Sequence, residues 1–105
     1  MNQEEKRLSV LIGNFVSRNR LNLGLSQDIL AEKANIDNST LSQIENGKRI
    51  PKLETFFKIV ETLKYFSSKK SNEKKFHFEK DLKENFEEVV QNILHVFANE
   101  EDKEK

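Results

Sequence analysis

Apolar residues fall in five clusters along the chain, and most clusters follow a helical period. Leu8, Leu11, Ile12, Phe15 and Val16 recur at intervals of three and four, which is one face of a helix. The spacing predicts a helix starting between Gln3 and Arg7 and ending near Arg20. The stretch "LNLGL" breaks it at Gly24. Ser26 is a good N-cap for a second helix, since its hydroxyl can meet an orphan N–H. That helix should be short, from Gln27 to Ala34, with Ile29, Leu30 and Ala34 apolar and Asp28 suited to the N-terminal dipole. Asn35 tolerates the left-handed conformation that ends helices. Asp37 should cap a third helix running to about Asn46, with Gly47 just beyond it. Pro51 precedes a fourth, marked by Leu53, Phe56, Phe57, Ile59, Val60 and Leu63.

From Ser67 to Lys75 nothing apolar occurs, so the stretch reads as a linker or a solvated helix turn. Leu82, Phe86, Val89, Ile93 and Val96 then follow at spacings of four and three, broadened by Phe78, Val90, Leu94 and Phe97. A long amphipathic helix is expected over about 78–99, followed by a frayed "EEDKEK" tail. No strand alternation and no repeat is visible. The fold class is all-α. The organisation expected is a 1–66 domain, a 67–75 linker and a 76–105 amphipathic helix.

With 105 residues the chain can build one modest core. It has no cysteine, so disulfides and thiolate metal sites are excluded. The first residues carry mixed charges without an apolar run, and no run is long enough to span a bilayer. A cytoplasmic location is the expectation. Net charge is zero, but the sum hides a split. Residues 1–70 hold twelve Lys/Arg against eight Asp/Glu, and residues 71–105 hold six against ten. A basic part and an acidic part are one signature of nucleic-acid binding, though an imbalance this small is weak evidence.

Two short helices joined by a few residues, the second polar on its outer side, suggest a helix-turn-helix. Such a pair needs a small residue where the helices cross, supplied by Ala31. It needs a turn residue that accepts positive φ, supplied by Asn35. It needs apolar inward positions, supplied by Leu30, Ala34, Ile36, Leu41 and Ile44. The run "LSQDILAEKANIDNSTLSQIENGKRIPKLETFFKIVETL" resembles the Cro/phage-repressor, or XRE-type, helix-turn-helix family over about residues 11–65. The resemblance implies a lambda-repressor-like bundle of four to five helices. Its motif covers about 27–46, and its recognition helix covers about 38–46. Asn35 stands where the family usually has glycine, Phe56 and Phe57 are bulkier than usual, and no short fifth helix is obvious after Leu63.

In this family the third helix enters the major groove while the second crosses the DNA backbone. Leu41 and Ile44 point inward by helical geometry, so Asn38, Ser39, Ser42 and Gln43 lie on the opposite side. Amides and hydroxyls can contact base edges. Asn38, Ser39 and Gln43 are the candidate base readers, with Ser42 next. Thr40 and Asn46 are candidate phosphate contacts, and Lys48 and Arg49 should follow the DNA backbone. By resemblance Gln27 either contacts phosphate or braces a side chain of the third helix. The bland alternative is that these are solvated surface and loop residues. Glu45 would repel DNA if it faced outward. The resemblance implies that it pairs with Arg20, pinning the first helix to the third.

An enzyme has little support. His77 and His95 are isolated, and Gly13, Gly24 and Gly47 are scattered and form no phosphate loop. No catalytic residue, metal or cofactor is expected. The function implied is a DNA-binding transcriptional regulator, a repressor acting as a dimer on double-stranded DNA. An antitoxin, a restriction-system controller or a protein-interaction module of the same fold is the alternative. The C-terminal apolar stripe is too wide to leave in water. A homodimer through Phe86, Val89, Val90, Ile93, Leu94 and Phe97 fits, with the acidic Glu84, Glu87 and Glu88 kept off the DNA. Packing within the chain, or against another protein partner, is the alternative.

Overall fold

The structure, a computed structural model, describes residues 1–85 and 87. Four helices, α1 (Gln3–Asn22), α2 (Gln27–Ala34), α3 (Asn38–Glu45) and α4 (Leu53–Lys70), are followed by α5 over 72–85. No strand occurs among the described residues. Each boundary has a local cause. Asn2 caps α1 in a reciprocal box: its side chain accepts from the Glu5 N–H, and the Glu5 carboxylate accepts from the Asn2 N–H. This satisfies two orphan donors at once. The Ser26 hydroxyl accepts from the Ile29 N–H at 3.1 Å. Asn35 closes α2 with φ of 57°. Asp37 holds the N-cap position of α3, but its side chain makes no capping hydrogen bond.

One core joins all five helices. Ile12, Phe15 and Val16 of α1 meet Leu30 of α2, Leu41 and Ile44 of α3, and Phe56, Ile59 and Leu63 of α4. Phe78 of α5 completes it at 1% exposure, its ring 6.3 Å from that of Phe15. Over 67–75, expected as a linker or a solvated helix turn, the backbone is helical except at Ser71, and it does not break at the expected domain limit of 66. Helix α4 continues to Lys70, and Ser67 is fully buried on it. Ser67 sits four residues after Leu63, so it stays on the inward face, where its hydroxyl bonds the Lys64 carbonyl at 2.8 Å. Only Ser71 leaves the helical conformation, and its hydroxyl accepts from the Lys74 N–H, starting α5 six residues before the expected position.

The face of α5 that carries Lys74, Phe78, Asp81 and Asn85 lies antiparallel to the end of α1. Lys74 Nζ donates to the Asn22 carbonyl oxygen at 2.9 Å, a cation placed at a helix C-terminus. Arg18 grips Asp81 with Nε at 3.0 Å and Nη2 at 2.9 Å. The Asn19 amide donates to Asp81 at 2.7 Å, and Asn85 donates from the next turn. Burial pushes the Asp81 carboxyl upward. The Arg18 and Asn19 hydrogen bonds, with the charges of Arg18 and His77, outweigh it and hold its pKa below the usual value.

A depressed carboxylate adds stability that is complete above its unfolded pKa and is lost as pH falls through the folded one. Chemical denaturation should therefore show the parent losing stability as pH drops below about 4. Asp81→Asn should lose less over that interval, after starting about 1–2 kcal/mol lower at neutral pH, a value discounted because Arg18 is partly solvated. Parallel pH profiles for the two proteins would contradict the clamp. The later part of the expected C-terminal helix, with Phe86, Val89, Val90, Ile93, Leu94 and Phe97, lies outside the described residues.

Candidate nucleic-acid interface

Helix α3 is seated by two residues. Leu41 and Ile44 are both 0% exposed, three positions apart on one face. Ala31 and Ala34 of α2 are small and buried beneath the turn, and the Ile36 N–H returns to the Ala31 carbonyl at 2.9 Å. The left-handed Asn35 thus reverses the chain within three residues and delivers α3 across α2.

The far end of α3 is fixed against α1. A methyl group added at Gly13 would lie 2.5 Å from the Ile44 carbonyl oxygen and 2.8 Å from that of Glu45. Only glycine allows the two backbones this close. The Ser9 hydroxyl, fully buried, donates to the Gly47 carbonyl at 2.9 Å. Gly47 itself has φ of 71°, ending the helix. Neither Ser9 nor Gly13 is among the site residues expected from the sequence. A glycine inside a strongly helical apolar pattern was the available signal.

The structure brings Arg20, Glu45 and Gln27 together. Arg20 Nε and Nη2 donate to the two Glu45 oxygens at 2.8 and 3.0 Å, while Nη1 donates to the Leu25 carbonyl at 2.8 Å. Gln27 Nε2 donates to Glu45 at 3.1 Å. The Glu45 side chain is 4% exposed. Its charge is thus turned inward and neutralised. Of the two roles open to Gln27, its geometry is that of the brace.

The outward side of α3 carries no charge. Asn38, Ser39 and Gln43 are exposed, and Thr40 and Ser42 are half-buried. Asn46 is exposed, with its amide 3.4 Å from the Ser42 hydroxyl. Lys48 and Arg49 are exposed beyond Gly47, and Arg49 Nη1 donates to Gln43 Oε1 at 3.3 Å. Asn38 Nδ2 donates to the carboxylate of Asp28 on α2. Thr40 and Arg49 share an open cleft of about 490 Å³ with Lys52 and Lys58. Among the described residues no acidic or histidine cluster could hold a metal, and no helix is long and apolar enough to cross a membrane.

A short helix with an uncharged polar outer side, anchored by two apolar residues against a second short helix and followed by two cations, is the arrangement of a helix-turn-helix. Residues 16–65 match the helix-turn-helix family model. That model describes the XRE, or Cro/phage-repressor, type of helix-turn-helix, and the matched segment covers 50 of the 105 residues. The match starts within α1 and ends within α4, so α5 lies outside it. No curated protein and no solved structure matches the chain. The family consists of DNA-binding regulators and is generally non-enzymatic.

Proposed function

We propose that the protein is a sequence-specific transcriptional repressor that reads the major groove with α3 and binds its operator as a homodimer. One observation carries the reading most. Helix α3 has a single carboxylate, Glu45, and it is withdrawn from solvent while Asn38, Ser39 and Gln43 stand exposed. A surface built only to be solvated has no need to bury its one charge. In this reading Asn38, Ser39 and Gln43 meet base edges, with Ser42 beside them. Thr40, Asn46, Lys48 and Arg49 meet phosphates and fix the register. Gln27 acts indirectly, through Glu45. Occupancy of an operator excludes other proteins from the same DNA, which is why the output is read as repression.

The dimer is proposed on different grounds. Half-sites about 34 Å apart, related by a two-fold axis, require a two-fold protein. The apolar stripe of Phe86, Val89, Val90, Ile93, Leu94 and Phe97 is the surface assigned to that contact.

Salt dependence tests the DNA reading. Labelled random duplex should bind at low salt and be released as salt rises, because Lys and Arg displace counterions. Lys48→Ala should reduce the slope of log affinity against log salt by about one, without changing thermal stability. Absence of binding at low salt would remove the proposal.

A further inference from the structure

Two amides stand on the proposed reading surface, and each is held at one end by a charged neighbour. Asn38 Nδ2 donates to Asp28 Oδ1. Gln43 Oε1 accepts from Arg49 Nη1 at 3.3 Å. The partners' chemistry dictates both orientations. A carboxylate accepts, a guanidinium can only donate, and an amide carries donors at one end and acceptors at the other. An amide facing Asp28 must turn its NH2 group inward. An amide facing Arg49 must turn its carbonyl inward. All four side chains belong to exposed residues, so the opposite ends of the amides point outward.

We propose that Asp28 and Arg49 are positioning residues that give the two amides opposite polarity: Asn38 leads with its acceptor and Gln43 with its donors. The inference rests on the reading of α3 as the base-contacting helix. In the major groove A and C present an exocyclic amine, while G and T present a carbonyl oxygen. Asn38 then selects A or C on the strand it contacts. Its second N–H remains free and can meet adenine N7, so adenine is favoured over cytosine. Gln43 favours G or T, which turn a carbonyl oxygen toward its donors, over adenine, which offers N7 alone beside a donating amine. Its two free N–H groups can reach guanine N7 and O6 together, whereas thymine offers O4 alone, so guanine is favoured.

The plain role for Asp28 is to complement the N-terminal dipole of α2. That role is indifferent to base identity, and a carboxylate beside DNA is repelled by phosphate. Base preference therefore separates positioning from mere helix support. The same holds for Arg49, whose phosphate role would weaken binding to all sequences alike.

The experiment is selection from randomised duplex with the full chain, the Asp28→Asn chain and the Arg49→Gln chain, reading enrichment at each position. The parent should show, in each half-site, one position favouring A or C and one favouring G or T on the contacted strands, each by about tenfold. Asp28→Asn frees the Asn38 amide to turn over, so the first preference should fall below about threefold while the second persists. Arg49→Gln should do the converse, with weaker binding overall. If Asp28→Asn keeps every parental preference, the positioning role is overturned and the DNA reading stands. If the parent enriches no sequence, the reading beneath it fails and the inference falls with it.

Discussion

Glu45→Gln should destabilise the protein by about 3 kcal/mol, near the lower end of the range for breaking a buried ion pair, because the amide retains one acceptor. The thermal midpoint should fall by more than about 10 °C for a domain of this size. The reason lies in what is left behind. The Arg20 side chain is 12% exposed, and without the carboxylate its charge stays inside with neutral acceptors only, the Leu25 carbonyl and the new amide oxygen. The Gln27 amide also loses its ionised acceptor. Removing both charges together, as Arg20→Met with Glu45→Leu, should cost far less than either single change, since a buried pair and its apolar replacement are often near balance. A denaturation series of Glu45→Gln, Arg20→Met, Glu45→Leu and the Arg20→Met, Glu45→Leu double variant measures this. A Glu45→Gln protein as stable as the parent would show that the clamp does not hold α3.

Phe78→Ala should cost about 3–5 kcal/mol, the usual range for emptying a buried aromatic site. Phe78 is 1% exposed and packs on Phe15, which in turn meets Phe56 at 6.5 Å between ring centres. The loss therefore opens the joint between α1, α4 and α5. A chain ending at residue 71 should be destabilised at least as much, because Lys74 and Asp81 leave with Phe78. A chain ending at residue 87 should keep this core. Equal melting curves for the parent and the 71-residue chain would show that α5 only rests on the surface. The comparison also bears on any search for the dimer contact: a cut near Ser71 removes part of the core along with whatever lies beyond it.

Helices α1 to α4 were legible in the sequence because their inward residues repeat at helical spacing and their ends carry Ser26, Asn35 and Gly47. The inward turn of Leu41 and Ile44, and hence the outward side of α3, followed from the same period. Continuity from α4 into α5 was hidden. Ser67 is buried as a small polar residue, so hydrophobic periodicity falls silent at a face that continues. Asp81 was hidden for a related reason: a buried carboxylate looks like any other charge until Arg18 and Asn19, more than sixty residues away, are placed against it. The close approach at Gly13 depends on where α1 and α3 touch. The polarity of Asn38 and Gln43 depends on partners ten and six residues away. Those are properties of packing, and no local pattern encodes them.

In the proposed function α3 reads bases through Asn38, Ser39 and Gln43. The most direct test is selection from randomised duplex, run with the full chain beside a variant carrying alanine at those three positions. The parent should enrich one half-site, repeated with two-fold symmetry about 34 Å apart or a multiple of it. The variant should fold with parental stability and enrich nothing. The same enriched motif from both proteins, or none from the parent, would contradict the proposed function.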